Sequence, residues 1–238
     1  MKIVGTCADV VGPALARLRS ELSNLRHKTV SSRFVPVSST PYATHVPVLL
    51  GIARLPRVRT ILELGSGLCS TPLLADRTLF PRVTRFVSLE DDTAWGQRVA
   101  AQVQDADVEL RMVASIPRDV RSVDIERFDM IFIDDSVTTK LRCSTIRAVL
   151  ARAKAEAIVV IHDFENRAYR TCVPRGWRAE SFAAALPFTG VLYRDDRLSG
   201  YIRQLSAVIA QNRTVNAADV QIWRSLFTRQ AGMEGGRR

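Results

Sequence analysis

The chain has 238 residues, enough to bury a core without disulfide or metal staples and suited to one α/β domain with extensions. Its four cysteines, at 7, 69, 143 and 172, form no C-x-x-C pair, so neither a zinc site nor a disulfide framework is expected, and no apolar run approaches the roughly 18 residues of a membrane span. The net charge of +10 sits on the flanks: residues 1–59 hold nine Lys/Arg against two Asp/Glu and residues 197–238 seven against two, around a slightly acidic centre. Such flanks can attract an anionic partner, nucleic acid included, although few aromatics are interleaved with the arginines as RNA-binding segments require. The first residues lack the basic-then-apolar pattern of a signal peptide, which leads us to expect a soluble, cytoplasmic protein with reduced thiols.

In chain order, Lys2–Gly5 reads as a short strand, and Asp9 can cap a helix over 10–26. Its residues Val11, Leu15, Leu18, Leu22 and Leu25 make one apolar stripe, suited to docking on the core or on a second copy in a homodimer. Residues 29–42 read as a connector, followed by a helix over 43–54. From there strands are expected at 61–64, 85–89, 108–113, 130–133 and 157–161, with helices near 71–77, 93–104, 119–127 and 138–154 between them. Strands such as Met130–Ile133 and Ile158–Ile161 are apolar on both faces, as in a parallel sheet covered on each side. The alternation predicts an α/β fold: a doubly wound, mostly parallel sheet flanked by helices. A closing antiparallel pair over 177–183 and 188–193 and tail helices over 197–211 and 217–229 complete it. This divides the chain into an N-terminal strand and helix extension (1–40), a central domain (41–196) and a C-terminal helical extension (197–238).

The central stretch is Ile61–Leu74, an apolar strand running into a Gly65-Ser66-Gly67 turn and then a helix with Ser70 as its expected N-cap and Pro72 in the first turn. A dinucleotide fingerprint needs a third glycine where Ser70 stands. Glu63, two residues before the turn, can face a cationic or amine-bearing ligand. Open parallel sheets bind ligands beyond the carboxyl ends of their strands, and those ends are acidic here: Glu63, Glu90-Asp91-Asp92, Asp134-Asp135 and His162-Asp163. Glu90 stands where a carboxylate can accept from both hydroxyls of a ribose, and Trp95 could border an adenine.

Glu63-Leu-Gly-Ser-Gly67 resembles the first motif of the class I S-adenosylmethionine-dependent methyltransferases, and residues 87–95, 128–135 and 158–163 resemble their strand-2, strand-4 and strand-5 regions, bacterial small-molecule O-methyltransferases in particular. The resemblance implies a Rossmann-like methyltransferase fold. It places S-adenosylmethionine against Glu63, Gly65, Ser66, Gly67, Ser70, Thr71, Glu90, Asp91, Ser115, Asp134 and His45. It also implies a divalent cation, Mg²⁺, held by Asp134, Asp163 and Asn166, although Asn166 is three residues past Asp163 where the catechol-type enzymes have the Asn adjacent. Asp134 and His162 are the expected catalytic residues, His162 as the base.

The expected function is therefore O-methylation of a small-molecule or sugar-bearing metabolite, of the kind met in natural product biosynthesis. The alternatives are an RNA-binding or RNA-modifying methyltransferase that uses the basic flanks, and a non-catalytic scaffold with the same fold.

Overall fold

A computed structural model describes residues 43–104, 106–136, 138–183 and 186–213. The strand expected at 2–5, the helix over 10–26 and the tail helix over 217–229 lie outside the described residues. Five parallel strands, β1 (Thr60–Leu64), β2 (Arg85–Glu90), β3 (Glu109–Met112), β4 (Met130–Ile133) and β5 (Ile158–Ile161), are joined by β6 (Arg178–Phe182) and β7 (Thr189–Tyr193). The order across the sheet is β3-β2-β1-β4-β5-β7-β6, with β7 antiparallel to both β5 and β6. The antiparallel pair expected from the sequence is thus present, and its second strand inserts between β5 and the first. Helices alternate with the parallel strands: α1 (Val46–Ala53), α2 (Ser70–Ala75), α3 (Thr93–Gln102), α4 (Ile116–Asp119), α5 (Thr139–Arg152) and α6 (Arg167–Thr171), with α7 (Ser199–Arg213) closing the chain.

Side chains of β1, β4 and β5 alternate between two apolar cores. Ile61, Met130, Phe132, Ile158 and Val160 face the layer of α1, α2 and α7, while Leu62, Leu64, Ile131, Ile133, Val159 and Ile161 face the layer of α5. That alternation fixes the site: Glu63, Asp134 and His162, each two residues beyond a residue of the first layer, leave the sheet on the α1 side. α7 packs directly on α1; Tyr201 donates to the Gly51 carbonyl at 2.7 Å, and a side chain at Gly51 would meet Leu205 at 2.5 Å. The first tail helix therefore belongs to the central core, its Ile202 and Leu205 fully buried.

Two local expectations change. No continuous helix spans 119–127; the short α4 is followed by two 3-10 turns, Val120–Ser122 and Ile125–Arg127. β-branched Val120, Val123 and Ile125 are poor helix formers, and Val120 and Ile125 are drawn into the core singly. The cap of α2 is Cys69, not Ser70: Ser70 is the first helical residue and turns its hydroxyl inward to Glu63. Among the described residues no helix is long and apolar enough to cross a membrane.

Candidate active site

The turn after β1 is shaped by the protein's own backbone. Gly65 has φ +87°, and a Cβ there would lie 2.2 Å from the Asp134 carbonyl oxygen, so only glycine lets the turn pass under the end of β4. At Gly67 a Cβ would meet the Ser70 hydroxyl at 2.5 Å. Glycine is required at Gly65, where the obstacle is backbone, whereas at Gly67 a side chain would have to turn the Ser70 hydroxyl aside.

Glu63 is fully buried, deeper than the sequence implied. Its Oε2 accepts from Ser88 at 2.6 Å, the residue paired with it on β2, and from Thr71 at 2.7 Å, whose hydroxyl in turn accepts from the Gly67 N–H at 2.9 Å. Its Oε1 has no hydrogen-bond partner among the described residues. Burial pushes the carboxyl up to about 7, even though hydroxyls of Ser70, Ser88 and Thr71 favour the charged form; the Asp134 charge adds to the rise.

Glu90 locks the same turn to β2. Its Oε2 accepts from the Ser66 amide at 3.0 Å and the Ser66 hydroxyl at 2.8 Å, and its Oε1 accepts from the amides of Asp91 and Asp92. All the lone-pair directions of the carboxylate are thereby used, so a ribose diol would have to replace Ser66. Asp91 accepts from the Ile116 amide at 3.0 Å, which ties the end of β2 to half-buried Ser115 at the start of α4. Trp95 is half-buried and donates its indole N–H to the Ser66 carbonyl at 2.7 Å, bracing the turn from outside.

The ends of β4 and β5 bring together residues far apart in sequence. Asp134 Oδ2 lies 3.2 Å from His162 Nδ1, and the Thr44 hydroxyl lies 3.2 Å from His162 Nε2. Thr44 gives its only proton to the Pro187 carbonyl at 2.8 Å, so the proton between Thr44 and His162 must come from Nε2. The other nitrogen faces a carboxylate. Nε2 then carries a proton, and Nδ1, facing the Asp134 carboxylate, is placed to carry the second when the ring is charged. Burial by itself would lower its pKa, but the hydrogen bond and charge of Asp134, with Asp163, outweigh that and raise it. Burial works against ionised Asp134 as well, yet His162 and Arg142 keep its pKa below the ordinary carboxylate value.

His45 is buried rather than lining an open mouth. Its ring lies 5.0 Å from Phe132 and edge-on to His162 at 4.8 Å, and neither nitrogen has a partner among the described residues. Burial first, then the charge on His162, drop its pKa to about 3, so it is neutral. A carboxylate oxygen of Asp134 and one nitrogen from each of His45 and His162 lie within 4.8 Å of one another. Each His162 nitrogen already faces a partner, Asp134 or Thr44.

Arg142 was not foreseen. It is 3% exposed and projects from α5 between the two strand ends, with Nη2 2.9 Å from Asp134, Nη1 2.6 Å from Asp163 and Nε 3.6 Å from Asp135. Asp163 meets it from the left-handed backbone region, φ 58°, which Asp tolerates better than most residues. Asp135 faces Thr145 at 2.5 Å, and burial raises its carboxyl to about 6 despite Thr145 and Arg142. The signal was present in the sequence: Arg142, Ile146 and Val149 share the buried face of α5, and an arginine on an apolar helical stripe needs a carboxylate partner.

These residues do not fit Mg²⁺. Asp134 and Asp163 do converge, but on the guanidinium, and Asn166 is elsewhere: it caps α6, its side-chain oxygen accepting from the Ala168 amide at 3.0 Å and its amide group donating to Thr139 at 3.3 Å.

The sheet order and this edge define the fold of the class I S-adenosylmethionine-dependent methyltransferases. Cofactor-bound Rv0187 from MTB matches with TM-score 0.52 and 21% identity, covering 77% of this chain and 91% of that one. The O-methyltransferase TomG from Streptomyces achromogenes, in complex with SAM, matches with TM-score 0.51 and 19% identity over 76% and 88% of the two chains. The O-methyltransferase from Bacillus cereus, in complex with SAH, matches with TM-score 0.50 and 17% identity over 76% and 90%. At these identities the likeness is one of fold. No protein-family model and no curated protein matches the chain.

Proposed function

We propose that this chain is an S-adenosylmethionine-dependent methyltransferase that transfers a methyl group to a hydroxyl of a small-molecule or sugar-bearing metabolite. The observation that carries the reading is Glu63: a fully buried carboxylate with one oxygen lacking a partner, behind a Gly-Ser-Gly turn at the carboxyl edge of a parallel sheet. An unpartnered carboxylate oxygen in a dry site disfavours the charged form, and an incoming ammonium group relieves this by supplying both a donor and a charge. The methionine end of S-adenosylmethionine carries that group. The fold shared with methyltransferases from Streptomyces and Bacillus supports the same reading.

When bound, the cofactor supplies a sulfonium methyl that is already activated. The protein's part is then to orient and exclude water. Glu63 and the 65–71 turn hold the amino-acid end, and Glu90 takes the ribose hydroxyls by exchanging its bonds to Ser66. Asp134, the more exposed of the expected catalytic pair, retains lone pairs beyond those directed at Arg142 and His162 and can accept a hydrogen bond from the acceptor hydroxyl. His162 holds Asp134 in place, and its hydrogen bond favours the ionised carboxylate.

Calorimetry tests the reading. S-adenosylhomocysteine should bind, NAD should not, and Glu63→Ala should bind the former at least about tenfold more weakly, since a charged hydrogen bond contributes roughly 1.5–3 kcal/mol. Binding of NAD with no response to S-adenosylmethionine or its product would overturn it.

A further inference from the structure

We propose that the Arg142 guanidinium is the resident cation of this site and that the chain places no divalent metal between Asp134 and Asp163. Arg142 is then a positioning residue, fixing the two carboxylates from behind without touching the acceptor. The two strand ends present carboxylates on neighbouring parallel strands, with β4 and β5 paired through Ile133 and Ile161, one residue before Asp134 and two before Asp163. Two such groups repel unless a cation lies between them. Here the space is filled by a side chain on the first turns of α5. Its two terminal nitrogens reach Asp134 at 2.9 Å and Asp163 at 2.6 Å, and the guanidinium lies 5.6 Å from the centre of the Tyr169 ring.

A Mg²⁺ ion would need the same oxygens at roughly 2.0–2.1 Å with near-octahedral geometry. Arg142 holds Asp134 Oδ1 and Asp163 Oδ2, so a cation bridging the two carboxylates would have to displace the guanidinium or stand against its charge. The remaining Asp134 oxygen lies 3.2 Å from His162 Nδ1, and the Asn166 side-chain oxygen is held by the Ala168 amide. Arg142 already supplies a positive charge between Asp134 and Asp163, and a divalent ion beside that buried guanidinium would add two more at contact distance. The inference deepens the proposed function by describing how that site works without metal, but its readout needs neither cofactor nor acceptor.

The test is a Mn²⁺ titration followed by electron paramagnetic resonance on the full chain at neutral pH. The wild-type protein should leave the free Mn²⁺ signal undiminished, and Arg142→Lys, which keeps a charge between the carboxylates, should do the same. Arg142→Met fills most of the volume without charge and should bind Mn²⁺ at least about tenfold tighter than wild type, a difference of about 1.4 kcal/mol. Stoichiometric uptake by the wild type overturns the proposal, as does a folded Arg142→Met that gains nothing. Should Arg142→Met fail to fold, the other two proteins decide: no uptake by either supports the proposal, and uptake by the wild type overturns it.

Discussion

Replacing Glu63 with glutamine should make the ligand-free protein more stable at pH 8 and leave it almost unchanged at pH 5. The folded-state carboxyl has a pKa of about 7 against an ordinary 4.5, chiefly because burial disfavours the charge. Between these values the folded chain holds a proton that the unfolded chain has released. Stability from this group is therefore fully present below 4.5 and is lost as pH rises through 7. The shift of about 2.5 units corresponds to roughly 3 kcal/mol at about 1.4 kcal/mol per unit, with no discount for solvent because the side chain is fully buried.

Glutamine removes that penalty and its carbonyl can still accept from Ser88 and Thr71. Its NH₂ group would stand where Oε1 has no partner, however, which costs about 1 kcal/mol or more. A net gain of about 1–2 kcal/mol at pH 8 follows. His45 acts in the opposite direction: its pKa is depressed to about 3 by burial, so the protein loses stability as pH falls below 6.5. Both proteins share that term, and their difference isolates Glu63. Urea unfolding of wild type and Glu63→Gln at pH 5 and pH 8, without cofactor, is the assay. A pH-independent difference, or a variant less stable at pH 8, would refute the assigned environment of Glu63. The same variant should bind S-adenosylhomocysteine more weakly if the carboxylate receives its ammonium group.

Three further outcomes are expected. Gly65→Ala should destabilise by more than about 3 kcal/mol or prevent folding, because the residue must adopt φ +87° with its Cβ 2.2 Å from the Asp134 carbonyl; chemical denaturation measures this. Asn166→Ala should remove the α6 cap, lowering stability by about 1 kcal/mol in the same assay, with no change in Mn²⁺ response. Nitrogen-detected NMR of the imidazoles across a pH titration should show Nε2 of His162 protonated, its ring charging at higher pH than an ordinary imidazole, and His45 neutral at pH 7; a His162 that charges at lower pH than an ordinary imidazole would contradict its contact with Asp134.

The sequence alone determined the layered architecture. Strands apolar on both faces, such as Met130–Ile133 and Ile158–Ile161, fit the centre of a covered parallel sheet, and the glycines flanking Ser66 mark a turn where the main chain is closely approached, by a ligand or by the fold itself. The acidic strand ends then had to meet, because parallel strands all finish at the same edge. What each group does there was decided by tertiary structure. Charge state depends on partners distant in the chain: Asp134 raises the pKa of His162 against the effect of burial, whereas burial, then His162, lowers that of His45. Asn166 becomes a helix cap rather than a ligand because α6 begins immediately after it. Arg142 lies eight residues beyond Asp134 and 21 before Asp163, and only the packing of α5 against β4 and β5 places its charge between them. Local pattern specifies which face a residue takes, whereas burial and the sum of neighbouring charges, both long-range quantities, fix its chemistry.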